Sequence, residues 1–509
     1  MNARQKIKKN RFGGMTPRLH GHTKIVFTDK FGRESVKLDK DNLVTDAIQK
    51  IFESNFFGSI DYSYLMPAIK KTLGGVVLFE NSLGSDPTDI WIPTSFDNPI
   101  TAHAGQTVPQ SLADDITRGL PNSAASVALN NGYKLVWNFP ETQGNGDIAA
   151  VGLCHSDFGD YALKDEAFKP LEMISNDSVK SVTWAADDER LKIINIYDNV
   201  NGYSYSFAWN EVSLNTNGQM AKDGDLKIKV KRRKNQLLNN LTVDMSHFLG
   251  NEVSEEEFTL NWYTQVSGSF TNMALPSIYI DHTNNLLWIG FGPYTNSISG
   301  NTTCPALAYD MTAFIDGATL NHVKTQAGSD VNGAIMGSNF PTQGIIAAGP
   351  DGYIPGVTFN NNKYYFNLLT YDDSNKEFVR ENLTALELVT ANLGQRFSNV
   401  QPLGNYYLVR GSRVEEFTKL IEVDTDNNLM LAYDVSPESS EATVTPYHID
   451  NSNPIVGAEQ WTYSPVRFVM GKSGTAINKL YLATKNDLPA TITKTAANSM
   501  RVEYTLTYA

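Results

Sequence analysis

The last eleven residues, Ser499-Met500-Arg501-Val502-Glu503-Tyr504-Thr505-Leu506-Thr507-Tyr508-Ala509, alternate strictly between two kinds of side chain. One face of an extended chain would carry Met500, Val502, Tyr504, Leu506 and Tyr508, and the other face would carry Arg501, Glu503, Thr505 and Thr507. This period of two predicts a β-strand with one buried face. Terminal segments usually fray unless a sheet holds them, so we expect this strand to pair within its own chain or with a neighbouring subunit.

The composition is that of a globular, β-rich protein. The chain has 509 residues, of which 41% are hydrophobic and 19% charged, and short apolar runs with many of its 24 Phe and 23 Tyr alternate with Asn, Gly, Ser and Thr. A chain of this length predicts about two to four domains. The net charge of −13 argues against general nucleic-acid binding, which requires a basic surface. It fits a soluble surface on which copies repel one another except at specific contacts.

Positive charge is concentrated in two segments. The N-terminal arm carries Arg4, Lys6, Lys8, Lys9, Arg11 and Arg18, and a second cluster runs from Lys227 to Lys234. One interpretation is contact with an acidic partner surface or an anionic glycopolymer. The other is a flexible arm and the solvated face of an edge strand, where lysine blocks unwanted pairing. For the second cluster we favour the edge strand.

The sequence predicts no leader peptide, membrane span, metal site or cofactor. The basic N-terminus lacks an apolar h-region, and no run of about 18 apolar residues occurs. The two cysteines, Cys154 and Cys304, are too far apart in sequence for a CxxC metal site and too few for a disulfide framework. We therefore expect a protein that is made in the cytoplasm and does not insert into membranes.

Periodicity divides the chain into four parts. Residues 1–20 are predicted to be a basic arm, 21–165 an α+β domain, 175–490 a large β domain, and 491–509 a strand that packs on the α+β domain. In the α+β domain, strands at Thr23–Thr28 and Arg33–Leu38 precede a helix capped by Asp41 or Asn42. The predicted apolar stripe of this helix consists of Val44, Ala47, Ile48, Ile51 and Phe52.

Residues 175–490 consist of repeated strand–turn–strand units. Examples are Ser277–Ile280 before the Asn284-Asn285 turn, and Gly356–Phe359 before Asn360–Asn362. The units recur at irregular spacing and share no dipeptide signature. The fold class is therefore predicted to be mainly β, with a degenerate five- or six-bladed β-propeller as the preferred architecture. A pair of β-sandwiches is the alternative.

Patterns typical of catalytic or metal sites are weak. Adjacent carboxylates in Asp187-Asp188-Glu189 and Glu255-Glu256-Glu257 would point to opposite faces of a strand and not toward one sugar. Both clusters are predicted to lie in turns, where acidic residues are common. The segment Asp424–Asn428 opens like a calcium loop, but Leu429 replaces the glycine that an EF-hand needs.

Three further motifs are equally weak. His20-x-His22 lacks a third ligand nearby, and Gly471–Thr475 lacks the spacing of a phosphate loop and predicts a hairpin turn. Among seven tryptophans, Trp91 is the best candidate for an exposed residue that stacks on sugars, although a core role is favoured. The sequence thus predicts no catalytic, cofactor-binding or metal-binding residue, and we do not expect an enzyme.

Several segments carry a resemblance to a known group of proteins. His22-Thr23-Lys24-Ile25, a turn, a second strand and Asp41-Asn42-Leu43-Val44-Thr45-Asp46-Ala47 follow one another. This order resembles the opening of minor structural proteins of tailed bacteriophages and prophages of Gram-positive bacteria. Those proteins begin with a TKI-x-L-T-D strand and an xNLVTNAL helix start. Here Phe27 replaces the leucine and Asp46 the second asparagine.

Further similar segments are Gly74–Phe79, Asn131–Phe139, Thr493–Ala497 and Met500–Thr507. Together the similarity covers approximately residues 1–160 and 490–509, and the middle of the chain lies outside it. The shared motifs consist of packing and turn residues. The resemblance therefore implies a scaffold and assigns no functional residue.

The resemblance implies a virion protein, such as a tail-fibre, baseplate or neck appendage that forms a homo-oligomer about the particle axis. Its expected partners are other virion proteins and copies of itself, with a host cell-wall glycopolymer as a further candidate. Two alternatives stay open: a virion-associated glycan-degrading depolymerase, and a collar or neck protein with a purely structural role. We predict that Met500–Tyr508 pairs with the N-terminal attachment domain, so that both chain ends face the particle.

Overall fold

The computed structural model describes residues 19–53, 70–175, 397–411, 418–436 and 467–508 continuously, together with separate strands between residues 192 and 464. The sheet domain, defined here as residues 19–170 and 479–508, contains helices α1 (Asp46–Glu53) and α2 (Ser156–Tyr161) and a 3-10 turn at Gln110–Leu112. Its strands are β1 (Leu19–Asp29), β2 (Glu34–Val44), β3 (Gly75–Phe79), β4 (Ile100–Ala104), β5 (Leu120–Pro121), β6 (Val127–Leu129), β7 (Gly132–Phe139), β8 (Gly146–Cys154), β32 (Leu482–Lys494) and β33 (Asn498–Tyr508).

The remaining strands, from Leu171 to Asn478, belong to the large β domain. They are β9 (Leu171–Ser175), β10 (Lys192–Asp198), β11 (Tyr203–Glu211), β12 (Met220–Ala221), β13 (Leu226–Asn235), β14 (Leu249–Leu260), β15 (Asn272–Met273), β16 (Ser277–Asp281), β17 (Leu286–Gly290), β18 (Ala306–Asp310), β19 (Asn321–Gln326) and β20 (Ile346–Ala347). They continue with β21 (Ile354–Asn360), β22 (Lys363–Asp372), β23 (Glu377–Arg380), β24 (Leu386–Thr390), β25 (Phe397–Leu403), β26 (Tyr406–Gly411), β27 (Thr418–Asp424), β28 (Leu429–Asp434), β29 (Val444–Tyr447), β30 (Ile455–Ser464) and β31 (Arg467–Asn478).

The C-terminal strand lies inside the sheet of the N-terminal domain, which confirms its predicted return. The strand order is β4-β3-β8-β32-β2-β1-β33-β7-β5, and β6 also pairs with β7. Strand β33 is antiparallel to β1 from Leu19↔Tyr508 to Asp29↔Asn498, and antiparallel to β7 on its other side. Its apolar face is buried, with Val502 and Tyr504 at most 1% exposed.

The sheet curls because its two halves meet at a narrow join. Strand β2 contacts β32 through two residue pairs only, Leu43↔Lys485 and Val44↔Thr484. The halves share one hydrophobic core, to which Ile25 and Val502 contribute from one half and Leu78 from the other. A curled antiparallel sheet of this kind has a buried inner face and permits a solvated outer face.

The first hairpin is longer than predicted, and helix α1 starts later. The turn predicted at Asp29–Gly32, between these two strands, is confirmed, and Gly32 takes the positive φ of 76° that favours glycine. Asp41 and Asn42 belong to β2, so the predicted cap is wrong. Their polar groups serve the sheet instead, since the Asn42 side chain donates to Thr23 Oγ1 at 2.7 Å. The helix begins at Asp46, and Ala47, Ile48 and Ile51 of the predicted stripe are buried.

The large β domain is mainly β and propeller-like, as predicted. Its described strands form five sheets of four or five mostly antiparallel strands, and β12 pairs separately with β15. The five sheets are β10-β11-β13-β14, β19-β18-β17-β16-β20, β21-β22-β23 with β24 on β22, β25-β26-β27-β28, and β29-β30-β31-β9. In the last sheet, β9 from the start of the domain pairs with β31 from its end. Successive small sheets closed by joining both ends match the radial repetition of a propeller.

One predicted boundary needs correction. The division at residue 490 falls inside β32, which runs from Leu482 to Lys494 and pairs with β8. The sheet domain therefore resumes at about Lys479. The polar residues Thr484, Lys485 and Asn486, at most 5% exposed, interrupt the apolar pattern, so the strand predicted at Lys479–Ala483 was given too early an end. Of the predicted basic arm, residues 1–18 lie outside the described residues.

Candidate functional site

The segment that returns from the large β domain, Lys479–Tyr508, is here called the C-terminal seam. It carries three lysines that are at most 4% exposed: Lys479, Lys485 and Lys494. Buried ammonium groups are costly unless oxygen acceptors surround them. Each of the three meets such acceptors on a different part of the sheet domain.

Lys485 holds the loop of residues 80–89. Its Nζ donates to the carbonyl oxygens of Leu83 and Asp89, both at 3.2 Å, and to Asp89 Oδ2 at 3.1 Å. Two residues further along, the carboxylate of Asp487 accepts the backbone N–H groups of Leu83 at 2.7 Å and Gly84 at 3.1 Å. This loop is therefore organised by the C-terminal end of the chain.

Lys494 holds the turn between β7 and β8. Its Nζ donates to the carbonyl oxygen of Pro140 and to Asn145 Oδ1, both at 2.9 Å. Burial removes water from the ammonium group and lowers the pKa of Lys494 to about 8. Lys494 therefore holds the two ends of the turn at Pro140–Asn145 together.

Lys479 belongs to a junction cluster with Lys71, His155, Asp157 and Glu172. Its Nζ lies 2.5 Å from Asp157 Oδ2 and 3.8 Å from Glu172 Oε2, while Lys71 binds the other oxygen of Glu172. Glu172 stands in β9 and Lys479 follows β31, so the cluster lies where the chain leaves and re-enters the sheet domain. Burial acts to raise the pKa of Glu172, but hydrogen bonding from His155 and Lys71 outweighs it and lowers the pKa to about 2.

The junction cluster resembles a metal site in composition, since one ligand atom each of His155, Asp157 and Glu172 lies within 4.8 Å of the others. The donor set does not fit a metal, however. His155 Nδ1 accepts the backbone N–H of Asp157 at 3.2 Å, so the neutral ring carries its proton on Nε2, which faces Glu172 at 3.4 Å. Burial lowers the pKa of His155 and favours this neutral form. The ammonium groups of Lys71 and Lys479 already balance the carboxylates, and the cluster therefore joins chain segments.

A second polar cluster, here called the loop cluster, lies between α2 and the loop of residues 105–119. Asp160 is 2% exposed, and its carboxylate accepts the backbone N–H of Thr107 at 3.0 Å and its hydroxyl at 2.8 Å. Burial raises the pKa of Asp160 to about 6. Arg118, also 2% exposed, donates to the carbonyl oxygen of Thr107 at 3.0 Å. Both charged groups therefore hold the same loop.

His103 completes the loop cluster from β4. Its Nδ1 lies 2.8 Å from the carbonyl oxygen of Gly159, and its Nε2 lies 3.2 Å from Asp115 Oδ2. Burial lowers the pKa of His103, whereas Asp115 and the Gly159 carbonyl favour its charged form. An acid of pKa near 6 beside histidine and arginine is a combination found in active sites. Here Asp160 and Arg118 bind backbone atoms of the loop, and His103 links the Asp115 side chain of the loop to the Gly159 carbonyl of α2. This geometry supports positioning of the loop.

The sheet domain packs against the sheet β25–β28 of the large β domain. The carboxylate of Glu422, which is 0% exposed, accepts the backbone N–H of Ser95 at 2.8 Å and the Tyr433 hydroxyl at 2.6 Å. Nearby, the Tyr406 hydroxyl donates to the carbonyl oxygen of Pro93 at 3.0 Å. Apolar side chains from both domains share one hydrophobic cluster around these contacts. The two domains therefore meet through an apolar interface with satisfied polar groups.

Trp91 lies at this interface and is 7% exposed, so its assignment as an exposed sugar-stacking candidate is wrong. It forms an isolated β-bridge with Tyr481 and belongs to the core of the sheet domain. Gly404 approaches its ring so closely that a Cβ would lie 3.0 Å from Trp91 Cε3. The favoured core role is the one that the structure shows.

The second basic cluster does not lie on an edge strand, so that interpretation is wrong. Strand β13 runs between β11 and β14. The backbone register pairs Lys229 with Glu257 and Lys231 with Glu255.

The other sequence candidates have structural explanations or lie outside the described residues. His22 is flanked by Asp41 at 2.8 Å and Asp39 at 2.6 Å on the exposed first hairpin. Asp424 accepts the backbone N–H of Asn427 within the β27–β28 turn. Residues 471–475 lie within β31, so the predicted hairpin turn there is wrong. Glu255, Glu256 and Glu257 lie within strand β14, so the predicted turn there is wrong. Asp187-Asp188-Glu189 and Cys304 lie outside the described residues, as does most of the N-terminal arm.

The sequence did not reveal the seam lysines, the junction cluster or the loop cluster. The available signal was the unusual mixture of polar and apolar residues in Lys479–Asp487, because a lysine beside buried apolar residues needs acceptors from elsewhere.

Among the described residues, no helix is both long enough and apolar enough to cross a membrane.

Comparison with known proteins found no matching protein-family model and no matching curated protein. Among solved structures, the chain is similar to a mutant of Trypanosoma rangeli sialidase with trans-sialidase activity, with a TM-score of 0.30 and 9% identity over 62% of this chain and 58% of that one. A Lactobacillus plantarum protein gives a TM-score of 0.27 and 9% identity over 55% and 70% of the two chains.

A third match is an inactive Staphylococcus aureus virginiamycin B lyase with quinupristin, with a TM-score of 0.23 and 13% identity over 58% of this chain and 98% of that one. The chain spans 58% and 54% of the lengths of the first two sialidase structures. Similarities at these TM-scores and identities assign neither an activity nor a ligand to the chain.

Proposed function

We propose that this chain is a structural component of a tailed-bacteriophage particle, in which the sheet domain attaches to the particle and the propeller-like domain projects from it. The observation that carries the proposal is the position of β33 between β1 and β7. Both ends of the described chain then lie in one domain, and the large β domain is an insertion between helix α2 and the C-terminal seam. An inserted domain whose two connections to the sheet domain are both held by contacts suits a virion appendage that is anchored through the sheet domain.

The resemblance of the N-terminal and C-terminal segments to phage minor structural proteins supports the same role. Those segments, which include Thr23–Ile25, Gly75–Phe79 and Met500–Thr507, form strands β1, β3 and β33 of one sheet, in which β1 and β33 are direct neighbours. The proposed partners are other virion proteins and copies of this chain. In a tail-tip position the propeller-like domain would also bind a host cell-wall glycopolymer through many weak contacts multiplied by copy number.

The role proposed here is structural and not catalytic. The buried carboxylates of Asp160 and Glu422 bind backbone groups and hydroxyls of their own chain, and the partly buried Glu172 pairs with Lys71 through one of its two oxygens. A depolymerase would need two carboxylates facing one sugar. Incubating the purified protein with host cell-wall glycopolymer tests this directly, because we expect no new reducing ends, and their enzyme-dependent release would contradict the proposal.

The decisive test is localisation. We expect immunogold labelling and cryo-electron microscopy of particles to place the protein on the tail, baseplate or neck. A truncated chain ending at Asn498 should fail to enter particles, because it lacks a central strand of the sheet domain. Normal incorporation of the truncated chain, or absence of the full-length chain from purified particles, would overturn the proposal.

A further inference from the structure

Two sheet edges of the described structure differ in how they are protected against pairing. On the side away from β1, the first nine residues of β2 pair with no described strand. This exposed stretch carries Lys37, Asp39 and Lys40. Charged residues on an edge oppose unwanted strand addition. The chain therefore protects this edge in the usual way.

Strand β28, the outer strand of the sheet β25–β28, lacks that protection. Among the described strands it pairs with β27 alone, while β24 of the neighbouring sheet lies near it without pairing. A strand that is paired on one side can offer the backbone N–H and C=O groups of its other side to a further strand. Its sequence Leu-Met-Leu-Ala-Tyr-Asp has no charge before the final residue. Leu429 is 50% exposed and Leu431 is 45% exposed. An open apolar edge of this kind is a template for another strand.

We propose that β28 is a self-association edge, at which two copies of this chain pair their β28 strands antiparallel about a two-fold axis near Leu431. This inference rests on the proposed assembly role, in which copies of the chain associate, and it gives that association a site. The contact would continue the sheet β25–β28 from one copy into the next. A two-fold contact uses the same strand of both copies and closes on itself.

The strand is complementary to itself in this register. Pairing about Leu431 places Leu429 opposite Tyr433 of the second copy and Met430 opposite Ala432. Asp434 then faces the neutral Asn428, so no two carboxylates stand directly opposite each other. Because the chain has a net charge of −13, two copies repel over much of their surfaces, and an uncharged edge is where they approach at least cost.

The edge also continues an apolar surface that the chain already uses. Tyr433, Leu431 and Leu429 share one face of β28 through the period of two. Tyr433 packs at the interface with the sheet domain, while Leu429 and Leu431 lie further along the strand, where they remain exposed. A six-residue strand gives a small contact, so we expect micromolar affinity that becomes effective through the copy number on a particle.

Sedimentation velocity of the full chain over a range of concentrations tests the proposal. We expect the wild type to form dimers at micromolar concentrations and to dimerise more strongly at high salt, which screens the repulsion between copies. Leu431→Lys and Leu429→Lys should each abolish dimers. Val36→Lys makes the same change at a 53% exposed position on the protected β2 edge, and it should leave dimerisation unchanged.

Circular dichroism and thermal unfolding of each variant verify that the fold is intact. A wild type that stays monomeric at the highest concentration, or lysine variants that dimerise as the wild type does, would overturn the β28 contact. The particle role fails separately: a protein that dimerises through β28 but is absent from purified particles supports the edge and contradicts the virion proposal.

Discussion

Replacing Val502 by alanine tests whether the C-terminal strand is a central strand of the sheet domain. Val502 is 0% exposed and stands opposite Ile25 of β1 and Trp137 of β7. The change removes two buried methyl groups, at about 0.8 kcal/mol each, and leaves a cavity in a core that closes only partly. We therefore expect the sheet domain to lose about 2.5 kcal/mol of stability.

Hydrogen exchange of peptides from β1 and β7 measures this loss in the right domain. A loss of about 2.5 kcal/mol should accelerate exchange through unfolding about 70-fold in those two strands. The strands β25–β28 of the large β domain should change much less. Thr505→Ala is the matched control, because Thr505 lies on the opposite, half-exposed face of β33 and its truncation should cost less than about 0.5 kcal/mol.

Two results would refute this reasoning. Equal acceleration in the Val502→Ala and Thr505→Ala variants would mean that the two faces of β33 are equally exposed. Unchanged exchange in β1 and β7 of the Val502→Ala variant would mean that β33 contributes little to the core of the sheet domain, against the register in which it pairs with both strands.

Three further substitutions test the buried polar groups. The pKa of Asp160 is raised to about 6 in the folded chain, so between about pH 4 and 6 the folded chain keeps a proton that the unfolded chain loses. The free energy of unfolding should therefore fall as pH rises through this range, by on the order of 3 kcal/mol. Asp160→Asn should remove that dependence from the melting temperature measured across pH 4–7, and an unchanged profile would contradict it. Lys485→Met should cost about 1.5–3 kcal/mol and expose residues 80–89 to protease, whereas the exposed Lys40→Met should not. Glu422→Gln replaces one acceptor oxygen by an NH2 donor that faces the Ser95 N–H or the Tyr433 hydroxyl, so it should weaken the domain interface. We expect faster limited proteolysis between the domains, and an unaltered cleavage rate would count against that interface.

Most of the regular elements were predictable because their signals are local. The alternation in Met500–Tyr508, the Asp29–Gly32 turn and the stripe Ala47, Ile48 and Ile51 depend on backbone periodicity and turn chemistry alone. The predicted cap at Asp41 or Asn42 failed because the Asn42 side chain bonds across the sheet to Thr23. The edge-strand interpretation of Lys227–Lys234 failed because strand order is not a local property.

The contacts of the three seam lysines could not be predicted from the sequence because their partners lie hundreds of residues away. Lys485 meets Asp89, and Lys479 meets Asp157, only after the large β domain has been inserted between them. No composition or spacing rule pairs such groups. The burial that makes each lysine depend on its partners is created by the folded sheet itself.

The sequence by itself therefore determined a mainly β chain, its repeated small sheets and a terminal strand with one apolar face. The tertiary structure decided that this strand lies between β1 and β7, that three seam lysines hold three separate parts of the sheet domain, and that β28 is left as an open apolar edge. The division has one physical cause. Periodicity indicates which face of a strand is buried, whereas strand order, and with it the partners of the seam lysines, depends on contacts between segments that are distant in sequence.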